Sequence, residues 1–147
     1  MKVLVASDHA GFELKAALVP FLKLIGHDAE DMGPLEFSAE DDYPDFILPL
    51  ARRVADEGAM GVIIGGSGQG EAIAANRVSG VRACVYYGGP LDVVLRMREH
   101  NDANVLSLGS RFITGAEAQA AVRAFFDTMF SGDERHVRRI HKLDSMI

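Results

Sequence analysis

The chain has 147 residues, a formal net charge of −6 and a pI near 5.3. That length suits one domain with a sizeable core, and the expectation is a single domain over residues 1–147. An acidic balance argues against a general nucleic-acid or membrane-surface binder. A single cysteine, Cys84, excludes an intramolecular disulfide.

The elements follow one another clearly. "KVLVA" (2–6) is a β-branched run ended by polar residues, and reads as a buried strand. After it, Phe12, Leu14, Leu18, Phe21, Leu22 and Ile25 recur at helical spacing, with Gly26 as a left-handed cap. Pro20 inside this stretch predicts a kink. Residues 27–32 read as a polar edge strand, and 33–45 as a loop with an acidic cluster. A helix over 46–58, the apolar strand "MGVIIG" (60–65) and a short helix over 71–78 come next. In that short helix, Ala72, Ile73 and Ala75 are expected to face inward. Then come a strand over 82–87, a helix over 90–101 with Pro90 in its first turn, a strand over 104–109 and a helix over 115–130. The segment from 133 onward also looks helical. Strand and helix alternate throughout, so the fold class is α/β, a Rossmann-like three-layer arrangement on a mainly parallel sheet of about five strands.

Ligands of such sheets bind beyond the carboxyl ends of the strands, where strand order reverses. The first strand runs into "SDHAG" (7–11) and the third into "GGSGQGE" (65–71). If those strands are neighbours, Asp8, His9, Ser67 and Glu71 share one crevice. The Gly-rich loop fits no nucleotide template. Gly65 and Gly70 have P-loop spacing, but Glu71 and Ala72 stand where lysine and Ser/Thr belong. The dinucleotide fingerprint places Glu71 at its third glycine, and the nucleophile elbow around Ser67 ends in Gln69. What remains is a nest of backbone N–H groups at a helix start, beside a carboxylate. A bound dianion would be repelled there, whereas an anion formed during reaction, such as an enediolate, would be stabilised. The plainer alternative is a tight turn with a dipole-compensating glutamate.

The stretches "SDHAGFELK", "DDYPDF", "GGSGQGEAIAANR" and "REHNDANVLSLGSR" occur in this order. Together they make the chain resemble the ribose-5-phosphate isomerase type B family, which includes galactose- and allose-6-phosphate isomerases. The resemblance implies aldose–ketose isomerisation through a cis-enediolate, without metal or organic cofactor. One branch of the family uses a cysteine at the end of strand three, where this chain has Gly65. The other uses a glutamate after the loop, which Glu71 matches.

By the same resemblance, Ser67 exchanges hydrogen bonds with O1 and O2, and the amides of Gly66, Ser67, Gly68, Gln69 and Gly70 form the anion hole. His100 opens the sugar ring, with Asp8 nearby to orient hydroxyls. Tyr43 and Asn101 position the substrate. His9 and Arg111 meet the phosphate, together with Arg135, His136 and Arg139 from a C-terminal segment that crosses to a second subunit. This implies a homodimer, or a tetramer, with an active site shared between chains. The expected partner is a small sugar phosphate, with no nucleic acid and no membrane. Without a long apolar run, the expected location is the cytoplasm. Another sugar phosphate as substrate, or a non-catalytic phosphosugar-binding regulator on this fold, are the alternatives. The stretch "YYGGPLD" (86–92) departs from the ribose enzymes and keeps the first of these open.

Overall fold

The computed structural model describes residues 1–145. Its elements are β1 (Lys2–Ser7), a 3-10 turn (His9–Gly11), α1 (Phe12–Leu24), β2 (Asp28–Asp31), α2 (Pro44–Glu57) and β3 (Met60–Gly65). They continue as α3 (Gln69–Ala75), β4 (Ala83–Tyr86), α4 (Asp92–Glu99), β5 (Val105–Gly109), α5 (Gly115–Asp127) and α6 (Glu134–Asp144). All strand pairs are parallel, in the order β2-β1-β3-β5-β4. Among the described residues, no helix is long and apolar enough to cross a membrane.

Period-two alternation sends the strand side chains to two cores. Val3, Val5, Val62, Ile64, Leu106 and Leu108 pack under α1, α4 and α5. Leu4, Ala6, Ile63 and Val105 pack under α2 and α3. Each of these side chains is fully buried, which is worth roughly 1.5–3 kcal/mol for a side chain of Val, Leu or Ile size. The three layers expected from the alternation are therefore present, and β2, with burial confined to Ala29, is the polar edge.

Two details differ from the sequence reading. Ile73 is 59% exposed. The inward face of α3 is Glu71, Ala72, Ala74 and Ala75, and the helical period turns position 73 to the opposite side. Pro90 precedes α4, which begins at Asp92.

The chain goes from β1 outward to β2 and then returns past β1 to β3. The order therefore reverses between β1 and β3, whose paired ends are Ser7 and Ile64. An ion pair with a buried lysine braces this region. Lys15, 2% exposed, donates to both oxygens of Asp31 at 2.6 Å and to the Pro34 carbonyl at 2.9 Å. Asp31 also accepts from the Gly33 N–H, and the Gly33 carbonyl accepts from the Ser7 N–H. The end of β1 is thus held to the loop leading into α2.

Candidate active site

The Gly-rich loop leaves β3 at the reversal point and enters α3 with Gly68 at its N-cap. Gly68 has φ +77°, a conformation that favours glycine. Three of the loop carbonyls are hydrogen-bonded within the protein. Gly65 O accepts from Ser110 N–H, Gly66 O from Arg111 N–H, and Gly68 O from both Ala72 N–H and the Ser107 hydroxyl. The Gln69 N–H reaches Ser67 Oγ at 3.3 Å. The N–H groups of Gly66, Ser67, Gly68 and Gly70 have no acceptor within the described residues. Unpaired donors gathered at a helix start, on a loop held by its carbonyls, make a preorganised anion-stabilising nest.

Glu71 is the third residue of α3 and is 4% exposed. Its carboxylate lies over the Cα of Gly65, in the volume that a Cβ there would occupy. Two opposing influences were left open by the sequence, and burial prevails. Desolvation pushes the Glu71 carboxyl above the ordinary carboxylate range, a backbone hydrogen bond pulls it back, and the charge of Asp8 raises it further.

Asp8 sits beyond β1, 7% exposed, with Oδ1 accepting from the N–H groups of Ala10 and Gly11. Its backbone N–H donates to Ile64 O, and a Cβ on Gly11 would strike the same carbonyl at 2.5 Å, so this turn is pressed against the end of β3. Tyr43, at the N-cap of α2, reaches across to α3; a Cβ on Gly70 would lie 3.0 Å from its hydroxyl. The Arg111 guanidinium lies over Gly66, 3.2–3.3 Å from where a Cβ would stand. It forms no ion pair among the described residues. The first half of the predicted set therefore converges: Asp8, His9, Tyr43, the 66–70 loop with exposed Gln69, Glu71 and Arg111.

The second half lies elsewhere on the same chain. In a parallel sheet, helices start at the carboxyl ends of strands and finish at their amino ends. His100 ends α4 just before β5 begins, so it sits at the edge opposite Glu71. The five residues of β5 separate those edges by about 17 Å at ~3.3 Å per residue. The His136 ring of α6 stacks on His100, with centroids 4.4 Å apart and planes 14° off parallel. His136 is 4% exposed and its Nε2 has no hydrogen-bond partner among the described residues, with Asp133 Oδ2 3.9 Å away; burial, then the charges of His100 and Arg135, push its pKa down against the opposing charge of Asp133. Arg135 and Arg139 flank it on the exposed side of α6. Asn101 borders a cavity of about 390 Å³ with Asn76, Arg82, Cys84 and Leu143. Within one chain, His100 is thus not near Asp8, and α6 rests along its own chain's lower edge, where Asp144 approaches Arg82 at 3.7 Å. Cys84, on edge strand β4, is half-buried, and burial pushes its thiol up, consistent with a packing residue.

One residue escaped the sequence reading. Asp41, within the acidic cluster, accepts from both the backbone N–H (3.0 Å) and Nδ1 (2.7 Å) of His9. Only folding singles it out from Glu40 and Asp42.

Residues 3–143 match the model of the Ribose/Galactose Isomerase family. The chain belongs to that family. Among its relatives, ribose-5-phosphate isomerase B of Mycobacterium tuberculosis (strain ATCC 25618 / H37Rv) is 45% identical over 141 residues, covering 95% of this chain and 86% of the relative. The probable ribose-5-phosphate isomerase B of Mycoplasma genitalium is 39% identical, covering 96% and 92%. Among solved structures, ribose-5-phosphate isomerase B from Mycoplasma genitalium with bound ribulose-5-phosphate superposes with a TM-score of 0.94 at 38% identity, covering 99% of this chain and 95% of that one. The Clostridium thermocellum ribose-5-phosphate isomerase B gives 0.93 at 37% identity, covering 99% and 97%. Membership accounts for the ordered motifs that span this chain from Asp8 to Arg111.

Proposed function

We propose that the chain is an aldose–ketose isomerase that interconverts D-ribose 5-phosphate and D-ribulose 5-phosphate. The observation that carries this reading is the buried Glu71 carboxylate beside a nest of unpaired amides. The names of its relatives, and the ribulose-5-phosphate bound to one of them, supply the substrate class.

In this mechanism Glu71 takes the C2 proton of the open-chain aldose. The C–H electron pair forms the C1=C2 bond, and the carbonyl electrons move onto O1. The free N–H groups of residues 66–70 receive the developing oxyanion, which needs no new arrangement of the loop. Ser67 passes a proton between O2 and O1, and Glu71 returns its proton to C1, giving the ketose. Asp8 and Tyr43 orient hydroxyls, and Gln69 lines the rim. His100 opens the ring, Asn101 positions the chain, and Arg135, His136 and Arg139 join His9 and Arg111 around the phosphate. Since His100 and Glu71 stand at opposite sheet edges, the two halves come from different copies in a homodimer. The chemistry uses no metal or organic cofactor.

The test is solvent deuterium incorporation at C1 or C2 in D₂O, across a panel of four- to six-carbon sugar phosphates. Exchange fastest with ribose 5-phosphate supports the reading, and no exchange with any of them sinks it. A second substrate stays in the panel for a specific reason. Tyr87, from the divergent 86–92 stretch, is 54% exposed and stands beside Gly109 and Phe112, near the loop. Fastest exchange with a hexose phosphate would shift the substrate and keep the chemistry.

A further inference from the structure

His9 is held from one side only. Asp41 Oδ1 accepts both its backbone N–H and its Nδ1, although 32 residues separate the two in sequence. The Asp41 side chain is 8% exposed, and its other oxygen, Oδ2, is buried with no hydrogen-bond partner among the described residues. A carboxylate buried with one bare oxygen is costly to keep. Both donors that hold it belong to His9. Asp8 stands on the same side, its Oδ2 4.0 Å from His9 Nδ1, while its Oδ1 is committed to the turn amides. Two carboxylates therefore flank one edge of the ring. The ring's other nitrogen, Nε2, has no partner among the described residues, and the side chain is 30% exposed.

We infer that Asp41 is a positioning residue for the phosphate end of the substrate. It fixes the His9 ring with Nδ1–H directed at its own Oδ1, so that Nε2–H is presented to the phosphate. The inference rests on the proposed reading in that it takes His9 to be a phosphate ligand. With phosphate bound, the imidazole lies between two anions and carries both ring protons, and the Asp41 charge balances the second. Outer partners of this kind orient a histidine whose other nitrogen does the binding. Asparagine at 41 keeps an acceptor of the same shape and removes the charge. Alanine removes both.

The experiment compares wild type, Asp41→Asn and Asp41→Ala by three readouts. These are steady-state kinetics with ribose 5-phosphate, inhibition by inorganic phosphate, and ¹⁵N shifts of the His9 ring at saturating inorganic phosphate near neutral pH. In Asp41→Asn, KM and the phosphate inhibition constant should each rise about tenfold while kcat stays within about twofold. One His9 ring nitrogen should also lose its proton in the phosphate complex. Asp41→Ala should raise KM at least as far. Unchanged KM, inhibition and ring shifts in Asp41→Asn would overturn the proposal. If the wild type turns over no sugar phosphate, the isomerase reading fails while the ring shifts still decide this one. Double protonation on adding phosphate, lost in Asp41→Asn, supports it; a wild-type His9 ring that ignores phosphate overturns it.

Discussion

The Glu71 carboxylate occupies the place of a side chain at position 65. Gly65 is fully compatible with other residues in its backbone conformation, since its φ is not positive. What excludes a larger residue is the carboxylate, and a carboxylate is the far end of a flexible side chain. Gly65→Ala should therefore fold and displace Glu71. Turnover should drop about 100-fold or more, with a thermal midpoint close to wild type. Retained activity would show that Glu71 acts from another position, or does not act.

The raised Glu71 carboxyl fixes the sign of two pH effects. A base must be ionised, so kcat should fall as pH drops through a value above the ordinary carboxylate range. Asp8→Asn removes a like charge and should move that acid limb to lower pH; a limb that stays put would mean Asp8 does not couple to the base. For stability the sign is opposite. A carboxyl whose folded pKa is raised contributes stability that is fully present below the unfolded pKa and is lost as pH rises through the folded one. Glu71→Gln should therefore raise the thermal midpoint at neutral pH and leave it unchanged in acid. The same substitution should cut turnover by about 10²–10⁴-fold, while substrate still protects the protein in a thermal shift.

Complementation tests whether the site is shared between chains. Glu71→Gln and His100→Ala should each be inactive alone. Refolded together in equal amounts, half the dimers pair one chain of each kind, and each such dimer has one intact site, so activity should return to about a quarter of wild type. No recovery after demonstrated exchange of subunits would place both groups in a single-chain site.

Gly68 tests the loop itself. Alanine there would be held at φ +77°, with a Cβ 3.0 Å from the Leu108 carbonyl carbon and the Ser107 hydroxyl that binds Gly68 O. Gly68→Ala should cost about 1–3 kcal/mol in denaturant unfolding. It should lower kcat more than it raises KM, because the disturbed donors act on the developing anion.

Much of the fold was legible because apolar side chains on two faces of a parallel sheet leave a simple pattern. Glu71 was legible because an acidic residue at the P-loop lysine position demands an explanation. Ile73 misled because an isolated apolar residue in a seven-residue helix has too few neighbours to define a face, and the alanines carry the packing. Asp41 was invisible since its partner is 32 residues away and its neighbours are also acidic. The separation of His100 from Glu71 was implicit in the alternation of elements: a residue that ends a helix lies at the edge where the next strand begins. Motif order conceals this, because it reads both residues as members of one list.

That separation also links activity to concentration. If the halves meet only across two copies, a folded chain alone presents an acceptor of protons with part of the phosphate site at one edge and the ring-opening histidine with the remaining cations at the other, and neither can complete a turnover. Specific activity would then follow the dimer population by mass action, declining on dilution below the dissociation constant without any loss of secondary structure. Sugar phosphate, bridging both halves, would hold the pair together, so the substrate would promote assembly of the site that consumes it.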